Sequence, residues 1–134
     1  MKTARALSWL GVLLLAALVL VGGCVTTDML QPGEGYRARF QGVTYDQLWQ
    51  AALQAVAEQM PLGEVDPREG VIRAGTWPQL QTWGQVLAVF ITPADRPSPA
   101  YTVEVVSRNR SIPELSGRNY TWDVVERMRE ILRQ

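Results

Sequence analysis

The sequence predicts an α+β domain, a two-layer sandwich in which an antiparallel sheet of about four strands carries two helices on one face. Two segments have apolar residues at spacings of three and four, which is typical of helices with one buried stripe. Other segments alternate apolar and polar residues or form short apolar runs, which indicates strands. The elements follow the order β-α-β-β-β-β-α. Packing both helix stripes on one sheet face is the simplest way to bury them.

The first part of the predicted domain contains one strand and one helix. Residues 36–42 (YRARFQG) alternate as a half-buried strand does. Residues 43–60 change to helical spacing, and Thr44 with Gln47 three positions later forms a capping box at the start of the helix. Pro61 ends this helix, because proline lacks the backbone N–H that would continue it.

The next part of the chain predicts the remaining strands. Residues 66–70 (DPREG) carry a turn signature, so that short strands at 63–65 and 71–76 form a hairpin. Residues 85–92 (QVLAVFIT) are apolar on both faces, which indicates a central strand. Residues 101–108 alternate again. The alternation in the first and last strands indicates that the second face of the sheet is open to solvent.

A second helix is predicted close to the end of the sequence. Thr121 is expected to cap it, and its apolar stripe includes Trp122 and Val125. Trp49 lies on the stripe of the first helix in the same way. We therefore expect Trp49 and Trp122 to belong to the core.

Composition excludes several classes of function. The chain has 134 residues, with 13 basic and 13 acidic side chains, no histidine and one cysteine, and its length fits one domain. Without histidine it cannot build Ser-His-Asp, Cys-His or His-ligated metal chemistry, and one cysteine cannot form an internal disulfide. The balanced charge argues against a nucleic-acid partner. We expect a protein that is not an enzyme and that uses no metal or other cofactor.

The first 23 residues have the pattern of a secretory signal peptide that is cleaved. Lys2 and Arg5 form a short basic start, residues 6–21 are uncharged and rich in Leu, Val and Ala, and two glycines follow. The basic start is retained on the cytoplasmic side while the apolar run enters the bilayer. The alternative is an uncleaved transmembrane helix, although the run is at the short limit of the roughly 17–25 residues that a span requires.

Residues 20–24 (LVGGC) resemble the lipobox of bacterial lipoproteins. The resemblance implies that Cys24 receives a diacylglyceryl group, that a peptidase cuts between Gly23 and Cys24, and that the new amino group is acylated. In lipoproteins of enterobacteria an Asp directly after the cysteine retains the protein in the inner membrane. Val25 occupies that position, and the chain therefore resembles a lipoprotein of the outer membrane that faces the periplasm.

Three regions follow from these patterns. Residues 1–23 are the signal peptide, residues 24–35 are the lipidated cysteine and a flexible tether, and residues 36–134 form a single α+β domain. The tether is predicted from its polar, Pro- and Gly-containing sequence, which has no period. Fully stretched, it would reach about 30 Å. The domain is therefore expected to stay close to the membrane.

Two clusters could form a binding surface. Trp77 and Trp83 flank a short connection, and three arginines surround a later loop: Arg108, Arg110 and Arg118. Exposed tryptophans and arginines suit contacts with protein, lipid headgroups or acidic cell-wall polymers. The alternatives are partial burial of the tryptophans over the sheet edge and a solvated loop in which nearby acidic residues neutralise the arginines.

A carboxylate pair could support hydrolysis of cell-wall glycan. Glu64, Asp66 and Glu69 lie around the predicted hairpin. The alternative is a solvated turn in which Asp66 and Glu69 hold local hydrogen bonds. The sequence favours the solvated turn, because nothing else in the pattern marks a catalytic site.

The predicted domain resembles a group of small envelope lipoproteins in its element order from Tyr36 to Leu132 and in the phrases YDQLW (45–49) and DPREGVI (66–72). These are helix-grip-like modules such as the C lipoprotein of the outer-membrane β-barrel assembly machine. The resemblance is architectural, and no functional residue is carried over from it. The anchor and the absence of catalytic groups instead predict a non-enzymatic binding or scaffolding module with an envelope protein as partner. A lipid or small-ligand carrier, with a groove between the helices and the sheet, is the alternative.

Overall fold

A computed structural model describes residues 26–76, 84–110 and 119–133. A short 3-10 helix (Thr27–Met29) precedes the domain proper. The elements that follow are β1 (Tyr36–Gln41), α1 (Tyr45–Gln59), β2 (Leu62–Asp66), β3 (Val71–Gly75), β4 (Gln85–Thr92), β5 (Ala100–Asn109) and α2 (Tyr120–Arg133). This order confirms the predicted α+β arrangement.

The described strands form one antiparallel sheet in the order β1-β5-β4-β3-β2. It has five strands within the described residues, slightly more than the four expected, because β2 and β3 of the predicted hairpin both join the main sheet. β4 lies at its centre, as its continuous apolar run predicts. The outer edges belong to β1 and β2.

Both helices pack on one side of the sheet, which we call the helix face. Its core is apolar and is built from alternate strand positions and the stripes of α1 and α2, including Leu48, Ile72, Val89, Val103 and Met128. The two helices are joined at their surface by Arg127, whose Nε lies 2.6 Å from Glu58 Oε2 and whose Nη2 donates to Glu58 Oε1. This ion pair lowers the pKa of Glu58 and raises that of Arg127.

The start of α1 matches its prediction. The backbone N–H of Gln47 donates to the Thr44 hydroxyl at 3.2 Å, and the backbone N–H of Thr44 donates to the Gln47 side chain at 3.0 Å. Both halves of the capping box are therefore present. Trp49 is buried in the core, as expected.

The start of α2 differs from its prediction in two ways. The helix begins one residue before Thr121, and the side-chain oxygen of Asn119 accepts hydrogen bonds from the Thr121 backbone N–H and hydroxyl. Trp122 is 52% exposed and not part of the core. The reason is the phase of the helix, because the buried stripe runs through Val124, Val125 and Met128 and leaves Trp122 at its margin.

The opposite side of the sheet, which we call the second face, was expected to be open to solvent. The structure contradicts this in the middle of the face, where a second apolar cluster is buried: Val86, Ala88, Phe90 and Val106, with Leu30. Leu30, at 1% exposure, belongs to the segment that was predicted to be a flexible tether. Its described part, residues 26–35, lies on the second face, and we call it the strap.

Among the described residues, neither helix combines the length and apolar character that a bilayer span requires.

Candidate functional site

The topology places two of the predicted binding residues, Arg108 and Arg110, at one end of the sheet. β3 ends at Gly75, β4 begins at Gln85 and pairs there with Asn109 near the end of β5, and β1 begins beside them. Thr76 and Gly84, which border residues 77–83, and Arg110 and Asn119, which border residues 111–118, lie at this end, which we call the loop end. Trp77, Trp83 and Arg118 lie within those segments, outside the described residues.

Arg110 and Arg108 are described, and they occupy different parts of the loop end. The Arg110 Nε donates to the carbonyl of Thr76 at 2.9 Å, and its backbone N–H donates to the carbonyl of Gly84 at 3.0 Å. Arg110 is therefore hydrogen-bonded to both residues that border segment 77–83, Thr76 and Gly84. Arg108 forms an ion pair with Glu34 of the strap and is about half exposed. The partner of Arg108 is therefore a carboxylate of the strap, whereas Glu104, one of the acidic residues expected to neutralise the arginines, is paired with Arg37.

A cavity of about 380 Å³ opens at the loop end. Its lining combines backbone and polar side chains from the strap, β1, β5 and the start of α2: Glu34, Gly35, Tyr36, Ser107, Arg108, Asn109, Asn119 and Thr121. Tyr36 also contacts Trp122 edge to face, with 5.5 Å between the ring centroids. Because both rings are exposed, this pair extends the cavity rim with an aromatic surface.

The carboxylates around the hairpin are arranged as a solvated turn. Asp66 Oδ1 accepts hydrogen bonds from the backbone N–H groups of Arg68 and Glu69 at 2.9 and 3.2 Å. Glu64 is 62% exposed and lies 3.2 Å from the Nε of Arg73. In the described part of the chain, no group of three or more acidic or cysteine side chains is placed to hold a metal ion.

A second cavity, of about 340 Å³, lies at the opposite end of the sheet, between the start of α1 and the loop that joins β4 to β5. Tyr45 and Tyr101 form part of its lining, and Tyr45 donates to the carbonyl of Pro67 at 2.6 Å. Burial raises the pKa of the Tyr45 hydroxyl, although a backbone hydrogen bond from Asp95 acts in the opposite direction. The space between the helices and the sheet, where the alternative carrier hypothesis places a groove, is filled by core side chains such as Ala52 and Ala55.

The strap is held on the second face by a buried carboxylate that the sequence did not reveal. Glu104 of β5 is 5% exposed, and its Oε1 accepts the backbone N–H groups of Gly33 at 2.6 Å and Gly35 at 2.8 Å. Its Oε2 lies 3.1 Å from the Nε of Arg37, which stands directly opposite in the β1–β5 register. Three donors therefore converge on one carboxylate.

The charge state of Glu104 follows from these contacts. Burial alone would raise the pKa of Glu104, but the hydrogen bonds from Gly35, Gly33 and Arg37 outweigh it and lower the pKa below its ordinary value. The carboxylate is therefore ionised at neutral pH. Gly35 is suited to this place, because a Cβ there would overlap the backbone carbonyl of Val105.

Arg73 of β3 holds the other end of the strap. Its Nη1 donates to the carbonyls of Thr27 at 2.5 Å and Leu30 at 3.1 Å, and its side chain is only 14% exposed. The guanidinium also lies 5.8 Å from the centre of the Phe90 ring. The strap thus crosses the sheet from β3, over β4 and β5, to the start of β1.

Comparison with known proteins adds no family to this description. No protein-family model matches the chain, and no curated protein sequence matches it significantly.

Proposed function

We propose that the chain is a lipid-anchored lipoprotein of the bacterial envelope, and that its domain is a non-enzymatic module that binds another envelope protein at the loop end. The observation that carries the binding part is the exposed Tyr36–Trp122 pair beside the cavity, with Arg108 in the lining. Tryptophan, tyrosine and arginine are the side chains that contribute most to binding energy at protein interfaces. The anchor part rests on the lipobox-like residues 20–24, which support the attachment of lipid at Cys24.

The anchor is tested by replacing the lipid attachment residue. A Cys24→Ala variant expressed in a bacterial host should accumulate as the uncleaved precursor and should incorporate no labelled palmitate. The wild-type chain should be cleaved and labelled, and should fractionate with the outer membrane. A Val25→Asp variant is the matched control, because it keeps the cysteine and should still be labelled. Normal processing of the Cys24→Ala protein would contradict the proposal.

The binding surface is tested by site-specific cross-linking in cells. A photoreactive residue at Trp122 should capture one discrete envelope protein. The same residue at Arg96, an exposed position at the opposite end of the sheet, should not. Equal capture from both positions, or capture from neither, would argue against binding at the loop end.

A substitution then measures the contribution of the aromatic pair. With the photoreactive residue placed at Asn119, a Trp122→Ala change should reduce capture of the same protein. A loss of about 2 kcal/mol, or roughly 30-fold in affinity, is typical of a tryptophan at the centre of an interface. A Gln50→Ala change on the exposed side of α1 is the control and should leave capture unchanged.

A small-ligand carrier is the second candidate, and the cavity at Tyr45 and Tyr101 favours it. Its volume, about 340 Å³, is at the lower end of the range that small-molecule sites occupy. Extraction of the purified protein followed by mass spectrometry decides between the two. A carrier should retain one ligand in stoichiometric amount, whereas a binding module for another protein should retain none.

A further inference from the structure

We infer that the second face of the sheet lies against the membrane, with the strap between the sheet and a lipid surface that contains anionic headgroups. This inference rests on the proposed lipid anchor at Cys24 and adds an orientation to it. Four observations carry it: the short reach from Cys24 to the strap, the way the strap is fixed, the exposed apolar side chain on it, and the charges around it.

The reach of the chain places the anchor close to the second face. Three peptide units separate Cys24 from Thr27, so the two residues can be at most about 11 Å apart. The carbonyl of Thr27 is bonded to Arg73 in the middle of the second face. The lipid attachment is therefore confined to this side of the sheet, whereas a free tether of residues 24–35 would have allowed every orientation.

The strap cannot easily carry the anchor elsewhere, because it is fixed at both of its ends. Arg73 binds its first part through two carbonyls, and Glu104 binds its last part through two backbone N–H groups. Leu30 lies between them and is buried in the apolar cluster of the second face. Opening the strap would expose this cluster and break charged hydrogen bonds, which are the stronger class of hydrogen bond in proteins.

Met29 is the large apolar side chain of the strap that is not buried against the sheet. It is 61% exposed, although its neighbour Leu30 is buried. An exposed methionine five residues after an acylated cysteine lies within reach of the acyl-chain boundary, where each buried CH2 group contributes about 0.8 kcal/mol. The strap thus presents its apolar residues on two sides: Leu30 to the sheet and Met29 to the bilayer.

The charged side chains of the second face include one exposed cation, Arg39, that can contact anionic headgroups. Glu104, Glu34 and Glu64 are each paired with an arginine, whereas the exposed Asp28 of the strap forms no ion pair with the described residues. Arg39 projects from β1 on the same face, is exposed, and forms no ion pair with the described residues. A cation near an anionic surface contributes about 1 kcal/mol to membrane attraction.

Fluorescence quenching in vesicles tests this orientation. The lipidated full chain is reconstituted into phosphatidylethanolamine–phosphatidylglycerol vesicles, and an environment-sensitive dye is attached to a cysteine introduced by Met29→Cys or, as the matched control, by Gln50→Cys on α1. Cys24 is the one natural cysteine and carries the lipid, so the introduced thiol is the labelled one. Lipids with a spin label near the headgroup should reduce the fluorescence at position 29 about twofold and leave position 50 unchanged.

The role of Arg39 is measured at a nearby position. A dye on Gln41→Cys, which lies on the same face of β1, should also be quenched in these vesicles. Its quenching should fall when Arg39→Glu is added or when phosphatidylglycerol is replaced by phosphatidylcholine. Quenching at position 29 should persist under both changes, because the lipid anchor sets it.

Each other outcome identifies what has failed. If the chain does not float with the vesicles, it carries no lipid, and both the anchor and the orientation are wrong. If it floats but position 50 is quenched as strongly as position 29, or neither is quenched, the anchor stands and the orientation is wrong. If Arg39→Glu leaves the quenching at position 41 intact, the anionic headgroups are not recognised by this face.

Discussion

The two faces of the sheet are covered in different ways. The helix face is covered by two amphipathic helices, and its large cluster is held by apolar contacts. The second face is covered by one short segment, and its small cluster around Leu30 depends on two charged side chains, Glu104 and Arg73, that bind the backbone of the strap. A short segment without repeating apolar residues cannot be held by hydrophobic burial alone, and it therefore requires directed hydrogen bonds.

This difference predicts that substitutions on the two faces differ in how much they can lower the free energy of unfolding. Loss of a core contact on the helix face destabilises the whole domain. Loss of a contact on the second face can cost no more than the free energy that holds the strap, because the strap can open while the sheet and helices remain folded.

The largest effect is expected on the helix face. Leu48 is fully buried in α1, and a Leu48→Ala change should reduce the free energy of unfolding by about 3–5 kcal/mol, through lost burial and the cavity left behind. Urea denaturation of the purified protein measures this. Leu62→Ala on the exposed edge strand is the control and should cost less than about 1 kcal/mol. A loss below 1 kcal/mol for Leu48→Ala would mean that the helix face does not dominate the stability.

The next effect is expected at Glu104. A Glu104→Ala change leaves the N–H groups of Gly33 and Gly35 without their acceptor and should cost about 2–3 kcal/mol. The amides of Gly33 and Gly35 should exchange with solvent deuterium much faster, while those of β4 should change little.

Two further variants sharpen this prediction. Glu34→Ala is the matched control, since it removes an exposed carboxylate of the strap itself and should change little. The loss of unfolding free energy in the Leu30→Ala, Glu104→Ala double variant should be smaller than the sum of the two single losses. Once the first change has opened the strap, the second has no further strap contacts to remove. Additive losses would show that the strap unfolds with the rest of the domain.

The pH dependence of stability should separate the faces as well. The pKa of Glu104 is lower in the folded protein than its ordinary value of 4.5, so the ionised form is favoured by folding. Its contribution is complete above pH 4.5 and is lost as the pH falls through the folded pKa. The difference in unfolding free energy between the wild type and Glu104→Gln should therefore shrink in acid. A difference that stays constant from pH 7 to about pH 2 would contradict this account.

The smallest effect is expected at the cap of α1. Thr44→Ala removes the acceptor for the Gln47 backbone N–H and should cost about 1 kcal/mol in urea denaturation. Thr44→Ser retains the hydroxyl and should be nearly neutral. The exchange of the Gly33 and Gly35 amides should not respond to either change, since the cap supports only the helix face. Faster exchange there would show that the two coverings are coupled.

Features that depend on neighbouring residues were predictable from the sequence, whereas contacts between distant residues were not. The bounds of β4 and the capping box of α1 follow from local patterns, and both agree with the structure. The burial of Glu104 depends on partners 67 to 71 positions away, and alternation marks it only as one polar residue among others. One signal was present, since antiparallel pairing of the first and last strands sets Arg37 opposite Glu104.

The loop end was predicted in part. Residue type marks five candidates for a binding surface: Trp77, Trp83, Arg108, Arg110 and Arg118. The topology brings the described ones, Arg108 and Arg110, to the same end of the sheet. The sequence predicts Trp122 in the core, but its side chain is exposed. Helical spacing identifies the residues at the centre of a buried stripe more reliably than the residues at its margin, where Trp122 lies.

The path of the strap also determines how the domain responds to force. Tension applied through the lipid anchor that we propose at Cys24 would enter at Thr27 and load the bonds from Arg73 first, then the bonds from Glu104, and only then the edge strand β1. Because the strap crosses the strands, these contacts break in succession. The domain would therefore lengthen its own tether, by releasing residues 26–35, before any strand of the sheet is pulled away.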